Sequence, residues 1–246
     1  MRIALLGFGK MGHEVEAAAT AAGHEIVARF DIDRPISVDA MRKSGAQVAI
    51  DFSQPDAVEH NAKLVGEAHV SLVIGTTGWE GSREVVQGYI ENAGIGCITG
   101  SNFSIGVNLF LEIVRNASTL LDEAGYDAYI FEAHHRAKKD FPSGTALRLS
   151  EAVLAGMKSK SRAVSELPIG NAIAKDLLQI SSLRAGAIPG THTVGFESTD
   201  DSIELTHRAR SRRGFASGAI RAAEWIVSRK GFYRFEEHVA DILEGK

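Results

Sequence analysis

The feature that most constrains this chain is a short apolar run followed at once by a glycine-rich turn. Arg2–Leu6 has the composition of a buried strand. The next six residues are spaced as G-x-G-x-x-G: Gly7, Phe8, Gly9, Lys10, Met11 and Gly12. A helix is predicted for residues 13–22, and glycines at this spacing let the backbone approach a pyrophosphate at the helix N-terminus. A tight strand-to-helix turn without a ligand is the competing interpretation.

Apolar runs and helical stretches alternate along the first hundred residues. Strands are predicted at residues 25–30, 47–52, 70–74 and 95–99, and helices at residues 56–68 and 82–93. This alternation is typical of a doubly wound parallel sheet. We therefore predict a Rossmann-like α/β fold for this part of the chain.

Three features follow the predicted strands at their carboxyl ends, where open α/β sheets bind ligands. Asp31 ends the second strand, 19 residues after Gly12, where an acid would accept hydrogen bonds from adenosine ribose hydroxyls. Residues 52–55 and 75–78 form two further loops, and ordinary turn chemistry explains each of them equally well. The combination predicts that NADH or NADPH binds here.

Charge and composition exclude some classes of partner. The 246 residues carry a net charge of -4, whereas nucleic-acid binding calls for a basic surplus. No apolar stretch approaches the roughly 20 residues of a membrane helix, and the first apolar run is too short for a signal-peptide core. A lone cysteine, Cys97, fits a reducing compartment. We expect a cytoplasmic protein with no membrane partner.

The pattern changes after residue 102. Helices are predicted at residues 107–121, 142–157 and 216–228, and strands at residues 126–133, 191–197 and 203–208. The last two strands are joined by a polar turn, which predicts a hairpin. We expect an α+β domain that is joined to the first without a flexible tether.

The segment from residue 132 to residue 145 carries most of the chemistry. His134 and His135 leave a predicted strand together, and only one of two successive strand residues can face a cleft unless the strand has ended. With Lys138 nearby, the free N–H groups of the next helix form a site suited to a carboxylate. The residues that open this helix are Ser143, Gly144 and Thr145.

Simpler interpretations of these charged stretches exist. A metal-binding histidine pair would need a third ligand at a familiar spacing, and none is present, so we predict no metal site. The charged segment could also be a solvated loop. The cationic run at residues 208–213 is typical of a surface. Its best functional use is one arginine that donates two hydrogen bonds to a carboxylate.

Four strings resemble the signatures of the dihydrodipicolinate (4-hydroxy-tetrahydrodipicolinate) reductase family. They are residues 75–78 (GTTG), 101–108 (SNFSIGVN), 132–136 (EAHHR) and 142–146 (PSGTA). The resemblance implies a nucleotide domain of residues 1–103 plus 215–246 and an inserted α+β domain of residues 104–214. The inserted domain would bind substrate and form a homotetramer.

The resemblance also implies roles for individual residues. His134 would be a general acid/base and Lys138 a proton donor, while Arg212 would lie near the substrate. The matched substrate contacts are His135, Ser143, Gly144 and Thr145. The matched cofactor loops contain Gly75, Thr76, Thr77, Gly100, Ser101, Asn102 and Phe103. The chain departs from the family's commonest pattern at Ala137, Lys139 and Phe141 and has a glycine loop one residue shorter than many members.

The reaction that the resemblance implies is reduction of 4-hydroxy-tetrahydrodipicolinate to tetrahydrodipicolinate by NAD(P)H, in diaminopimelate and lysine biosynthesis. The alternatives are an amino-acid dehydrogenase, such as an aspartate dehydrogenase, and a non-catalytic nucleotide sensor. Asp31 favours NADH modestly because it would repel a 2′-phosphate. Lys10 and Arg34 act in the opposite direction, so NADPH stays usable.

Overall fold

The computed structural model of the protein describes residues 1–167, 170 and 172–245. It contains two compact units, Met1–Ile105 with Arg212–Lys246, and Gly106–Ser211. The strands in chain order are β1 (Arg2–Leu6), β2 (Glu25–Phe30), β3 (Val48–Asp51), β4 (Ser71–Ile74), β5 (Gly96–Thr99), β6 (Asp127–His134), β7 (Arg162–Val164), β8 (Leu177–Arg184), β9 (Thr191–Glu197), β10 (Ser202–Arg208) and β11 (Gly231–Arg234). The helices are α1 (Lys10–Ala21), α2 (Val38–Ser44), α3 (Val58–Glu67), α4 (Arg83–Ala93), α5 (Ile105–Glu123), α6 (Gly144–Gly156), α7 (Arg213–Ile226) and α8 (Val239–Glu244).

The first unit is built on a six-stranded sheet in the order β11-β5-β4-β3-β1-β2. All of its strand pairs are parallel. Strand order reverses beside β1, which pairs with β2 on one side and β3 on the other. This topological switch point opens a crevice at the carboxyl ends of β1 and β3, where ligands bind in folds of this kind. The predicted doubly wound sheet is confirmed.

Successive residues of β1 explain why helices cover both faces of this sheet. Ile3 and Leu5 face one core, together with residues of α1, α7 and α8. Ala4 and Leu6 face the other core, with residues of α2, α3 and α4. Both sets of β1 side chains are buried, which is why the strand reads as a continuous apolar run. The strand β11 and the helices α2 and α8 are additional to the predicted elements.

The second unit is an α+β fold with a five-stranded mixed sheet in the order β10-β9-β6-β8-β7. The predicted hairpin is confirmed as the antiparallel pair β9–β10, and β6 runs antiparallel to β9 and parallel to β8. Helices α5 and α6 pack on one face over a core that includes Ile130 and Val194. The sequence analysis assigned no strand to β7 or β8. None of the helices in the described residues is both long and apolar enough to cross a membrane.

Candidate active site

The glycine loop lies at the carboxyl end of β1, in the crevice of the first unit. Gly7 has φ +84°, and a Cβ there would lie 2.5 Å from the Phe52 carbonyl oxygen. A Cβ on Gly12 would lie 2.5 Å from the carbonyl oxygen of Gly7. Both positions therefore require glycine for folding. Gly9 differs, because a Cβ there would meet nothing within 4 Å, so its open surface at the start of α1 is free for a ligand to approach.

Asp31 fastens this loop to the end of β2. Its Oδ2 accepts a hydrogen bond from the backbone N–H of Phe8 at 2.8 Å, and its Oδ1 accepts one from Ile32 N–H at 2.8 Å. The chain then turns back, so that the backbones of Asp31 and Arg34 exchange two hydrogen bonds of 3.0 Å. Arg34 thus lies beside Asp31 in space, although two residues separate them in the sequence.

A cavity of about 290 Å³ adjoins the glycine loop and Asp31. It lies at the switch point between β1 and β3 and is partly apolar. Its lining residues are Leu6, Gly7, Gly9, Phe30, Asp31, Ile32, Pro35, Ile36, Phe52, Ser53, Gln54, Ala57, His60 and Asn61. An open Gly9, a helix N-terminus and an acid at the end of β2 are the groups that a dinucleotide needs, so this unit fits such a cofactor.

Asp51, which the sequence analysis did not single out, holds the loops beyond β3 and β4. Its buried carboxylate accepts hydrogen bonds from the Ser53 backbone (2.8 Å) and hydroxyl (2.6 Å), from Asn61 Nδ2 (2.9 Å) and from Thr76 Oγ1 (2.9 Å). Burial raises the pKa of Asp51, and these hydrogen bonds offset part of that rise. An acid at the end of an apolar strand was the available signal for this residue.

The other predicted cofactor residues lie at the ends of β4 and β5. Thr76, Thr77, Gly100 and Ser101 border a second cavity of about 140 Å³. Gly75 has no room for a side chain, because its Cβ would lie 2.2 Å from the ring of Phe52.

Asn102 and Phe103 continue from this loop. Asn102 Oδ1 accepts a hydrogen bond of 2.9 Å from the N–H of Ser104. The ring of Phe103 is buried, with its centroid 4.7 Å from that of Phe235. Phe103 is therefore a core residue, and its carbonyl oxygen packs against Gly218 of α7, where a Cβ would lie 1.7 Å from it.

In the second unit, Glu132 of β6 is the centre of a buried polar cluster. Its side chain is fully buried, and its Oε1 accepts hydrogen bonds from Arg184 Nη2 at 2.7 Å and from Ser143 N–H at 3.3 Å. Its Oε2 forms an ion-pair contact with Nδ1 of His134. Burial would raise the pKa of Glu132, but His134 and Arg184 outweigh it and hold this pKa well below its usual range.

His134 and His192 come together because β6 and β9 are neighbours. His192 lies directly opposite Glu132 in the sheet register, and the two imidazole centroids are 5.0 Å apart. The Nε2 of His192 lies 3.1 Å from the hydroxyl of Ser143. Burial, and secondarily the neighbouring His134, lowers the pKa of His192 to about 4. His192 therefore stays neutral at ordinary pH.

Ser143 begins the helix that faces this cluster. Its hydroxyl caps α6 by accepting a hydrogen bond of 3.3 Å from Ala146 N–H. Gly144 is exposed, with open space where a Cβ would lie, and Thr145 is half-buried. The start of α6 thus has a buried side that contacts Glu132 and an open side with exposed backbone, which suits an anion.

Lys138 and Asp140 lie in the loop between β6 and α6. Lys138 Nζ is 2.8 Å from both carboxylate oxygens of Asp140, and the Asp140 backbone carbonyl accepts a hydrogen bond of 2.6 Å from Arg184. A continuous chain of contacts therefore joins Lys138 to Glu132 and His134. His135 is half-buried just beyond β6. Arg212 belongs to the first unit, where it precedes α7.

Glu132, His134 and His192 could also be considered as metal ligands. One donor atom from each residue lies within 4.8 Å of the others. Spacing in the sequence offered no third ligand for a histidine pair, whereas the sheet brings His192 beside Glu132 and His134 and leaves His135 out of the group. The absence of a metal site stays a prediction. However, Arg184 and His134 already contact the two oxygens of Glu132, an arrangement suited to an ion-pair network.

The chemistry of the second unit complements that of the first. A glycine-loop domain can hold a dinucleotide, while a buried carboxylate–histidine pair can move a proton beside an anion bound at a helix start. This pairing of functions defines an NAD(P)H-dependent oxidoreductase.

Comparison with known proteins identifies the family. The "Dihydrodipicolinate reductase, N-terminus" profile matches residues 1–103, and the "Dihydrodipicolinate reductase, C-terminus" profile matches residues 106–239. The chain belongs to the dihydrodipicolinate reductase family, as the sequence motifs predicted.

Curated relatives cover nearly the whole chain. The 4-hydroxy-tetrahydrodipicolinate reductase of Christiangramia forsetii is 35% identical over 99% of this chain and 100% of its own length. That of Archaeoglobus fulgidus is 38% identical over 96% of this chain and 99% of its own length. A dipicolinate-bound dihydrodipicolinate reductase from Paenisporosarcina sp. TG-14 shares the fold, with a TM-score of 0.77 at 22% identity, over 96% of this chain and 98% of that one.

Proposed function

We propose that this protein reduces 4-hydroxy-tetrahydrodipicolinate to tetrahydrodipicolinate with NADH or NADPH, as a step of diaminopimelate and lysine biosynthesis. The observation that carries the proposal is the buried cluster in which Glu132 contacts His134 and the N–H of Ser143 at the start of α6. It places an acid–base group next to an anion-binding helix start. The curated relatives named above carry this activity in their names.

The start of α6 is proposed to bind one carboxylate of the substrate. The exposed Gly144 leaves the backbone open on the side away from Glu132, and Thr145 lies one residue further into the helix. Lys138 and His135 would face the same substrate. Arg212 is proposed as a further contact to a substrate carboxylate, because a guanidinium can donate a hydrogen bond to each of its two oxygens.

Proton transfer is assigned to His134 and Lys138. When bound, the nicotinamide supplies the hydride, so the protein must orient the substrate and provide one proton. His134 is nine-tenths buried, and its Nδ1 lies against the carboxylate of Glu132. Lys138 is held by Asp140 and would exchange that partner for a substrate carboxylate. Either group can donate to the centre that gains electron density.

The cofactor is assigned to the first unit, Met1–Ile105 with Arg212–Lys246, for which the family resemblance implies a domain of residues 1–103 plus 215–246. The glycine loop and Asp31 would hold the adenosine half, and the loops after β4 and β5 the nicotinamide half. We propose a modest preference for NADH, because the Asp31 carboxylate repels a 2′-phosphate. The backbone of Arg34 is hydrogen-bonded to that of Asp31, so its positive charge lies near enough to keep NADPH usable.

A homotetramer in the cytoplasm is proposed for the assembled protein. Residues 104–214 would form the interface, as the family resemblance implies, and the sheet face opposite α5 and α6 carries a cavity of about 250 Å³. The lining residues of that cavity are Tyr129, Phe131, Ser181, Thr193 and Glu204. Light scattering on the purified protein measures this directly, and a monomeric mass would contradict it.

A turnover assay tests the proposed reaction. The cyclic substrate is generated in situ, and the loss of reduced nicotinamide absorbance is followed with NADH and with NADPH. We expect turnover with both cofactors and inhibition by dipicolinate, the ligand of the structural relative. Oxidation of aspartate without turnover of the cyclic substrate would instead support an amino-acid dehydrogenase. Cofactor binding without turnover of either compound would support a sensor.

A further inference from the structure

We propose that Glu132 is the positioning residue of His134. Its carboxylate holds the Nδ1 proton, which leaves Nε2 as the nitrogen that exchanges a proton with the substrate. The inference rests on the proposed function, which assigns proton transfer to His134. It adds the tautomer of the ring and the nitrogen at which transfer occurs.

The surroundings of Glu132 keep its carboxylate ionised. It receives hydrogen bonds from a guanidinium, at 2.7 Å from Arg184, and from a helix N-terminal N–H, at 3.3 Å from Ser143. An ionised carboxylate can only accept hydrogen bonds. Any ring nitrogen that rests against Oε2 must therefore carry a hydrogen, because a bare lone pair there would be repelled.

Nδ1 of His134 lies against that oxygen in a close contact, although the ring as it stands does not direct an Nδ1–H at it. The neutral imidazole is consequently the Nδ1–H tautomer, with its lone pair on Nε2. A buried carboxylate fixes the ring of the catalytic histidine in serine hydrolases by the same logic. Here Arg184 balances the charge of Glu132 from β8, so the carboxylate stays ionised although it is fully buried.

Gly190 keeps the other side of the ring accessible. This residue precedes β9 with φ +152°, and a Cβ there would lie 3.1 Å from Nε2 of His134. The missing side chain leaves Nε2 room for a substrate atom. The charged and titratable groups around the ring are Glu132 on its own strand, Arg184 on β8, His192 on β9 and Lys138 in the following loop.

The proton balance at Nε2 is simple. The lone pair of Nε2 takes a proton from solvent and gives an imidazolium whose positive charge is stabilised by Glu132. The Nε2–H bond then breaks, the proton passes to the substrate, and the electron pair returns to Nε2. The ring ends in the Nδ1–H form in which it began.

The test is ¹⁵N NMR of the full-length protein with labelled histidine, combined with steady-state kinetics. The chain has nine histidines, so the His134 signals are assigned by their loss in His134→Asn. We expect Nδ1–H and a bare Nε2 in the wild type. In Glu132→Gln the amide can donate to Nδ1, so we expect the Nε2–H tautomer and a fall in kcat of about 10² to 10⁴ with little change in KM. A wild-type ring in the Nε2–H form would overturn the proposal.

Two further variants separate positioning from folding. Glu112→Gln makes the same chemical change at an exposed site on α5 and should change neither tautomer nor kcat. Glu132→Asp keeps the charge that Arg184 requires, so it should fold, retain the Nδ1–H form and recover part of kcat. A Glu132→Gln protein with low kcat and an unchanged tautomer would show a merely structural role and overturn the proposal. If Glu132→Gln does not fold, the tautomers of the wild type and of Glu132→Asp test the proposal, and both are expected to be Nδ1–H.

The Gly190→Ala variant tests whether proton transfer occurs at Nε2 of His134. Alanine is also strained at φ +152°, so unfolding is measured first. In the folded variant we expect the Nδ1–H tautomer to persist while kcat falls, because the added methyl crowds Nε2. Normal turnover in this variant would contradict proton transfer at Nε2. The tautomer is measured without substrate, so its outcome does not depend on the proposed reaction. The proposed reaction fails only if the wild type does not turn over the cyclic substrate.

Discussion

Lys138 and Asp140 form an ion pair in which the ammonium nitrogen is 2.8 Å from each carboxylate oxygen. Lys138 is thus held within reach of the cluster around Glu132 by a partner that a substrate carboxylate can replace. We expect Lys138→Ala to lower kcat by about 10² to 10³, equivalent to about 3–4 kcal/mol, because one transition-state donor is lost. Steady-state kinetics with the cyclic substrate measures this.

The neighbouring Lys139→Ala variant is the matched control. Lys139 is exposed in the same loop, and its removal should leave kcat and stability within error of the wild type. Denaturant unfolding should show that Lys138→Ala is folded, since the Asp140 carboxylate of this ion pair is exposed to water, and surface pairs contribute at most about 1 kcal/mol. Near-normal turnover in folded Lys138→Ala would remove Lys138 from the proposed set of proton donors.

The buried His192 predicts how stability depends on pH. In the unfolded chain this imidazole titrates near its ordinary pKa of 6.5, whereas in the folded protein it stays neutral down to about 4. The unfolded state binds more protons between these values, so stability falls as pH falls from 6.5 towards 4 and this contribution is constant below. We expect His192 to account for a loss of about 2 kcal/mol between about pH 7 and about pH 5.

Comparing variants isolates this contribution from other titrating groups. His192→Gln keeps a hydrogen bond to Ser143 but cannot titrate, so its unfolding free energy should fall by about 2 kcal/mol less than that of the wild type over the same interval. His60→Gln, at an exposed position in the first unit, should keep the wild-type pH dependence. Equal slopes for wild type and His192→Gln would mean that folding does not shift the pKa of His192.

The parts of the fold that the sequence predicted have local causes. The G-x-G-x-x-G spacing, the strand β1 and the alanine-rich α1 are continuous in sequence, so each pattern identifies its own element. The same holds for β6 and the Ser143 cap of α6. In contrast, β11 (Gly231–Arg234) is not a fully buried apolar run like β3, β4 and β5, and it joins the sheet at the edge that β5 offers.

The polar cluster could not be predicted because sheet register creates it. His192 meets Glu132 only because β9 pairs with β6 in one register, and Arg184 reaches the same carboxylate from β8, a strand that was not predicted. A one-residue slip of β9 would point His192 to the other face of the sheet. The sequence contains these residues but not their pairing, so the metal argument from spacing missed His192.

Substitutions at two glycines of the glycine loop, Gly7 and Gly9, should separate an effect on folding from an effect on cofactor binding. Gly7→Ala forces a left-handed backbone on alanine and a clash with the Phe52 carbonyl, so we expect a loss of at least about 1–3 kcal/mol of stability. Gly9→Ala meets open space and should fold normally, but its methyl obstructs the approach of a pyrophosphate. We expect at least a tenfold weaker Kd for reduced cofactor, about 1.4 kcal/mol.

Thermal unfolding and fluorescence titration with NADH measure these two effects. Gly88→Ala, in the middle of α4 where a Cβ also meets nothing within 4 Å, is the control. It should be neutral or stabilising by up to about 1 kcal/mol and should bind cofactor normally. Unchanged cofactor affinity in Gly9→Ala would argue that the pyrophosphate binds elsewhere.

We expect cofactor choice to depend on the charges around Asp31. Its carboxylate accepts the Phe8 and Ile32 N–H groups, and each oxygen keeps a lone pair for a ribose hydroxyl while repelling a 2′-phosphate. Arg34 is drawn beside it by the turn, so the expected preference of the wild type for NADH is modest, at most about tenfold. In Asp31→Ser the repulsion is removed while a side-chain oxygen remains for Phe8 N–H. We expect the ratio of kcat/KM for NADPH to kcat/KM for NADH to rise at least tenfold, about 1.4 kcal/mol.

The measurement is kcat/KM for both cofactors at fixed ionic strength, because charge interactions at an exposed site are screened by salt. Asp33→Ser removes an exposed acid from the same turn and should change the ratio much less. A wild-type preference of tenfold for NADPH would mean that Lys10 or Arg34 determines the site. The Asp31→Ser variant would then leave the ratio unchanged, and Arg34→Ala would lower it.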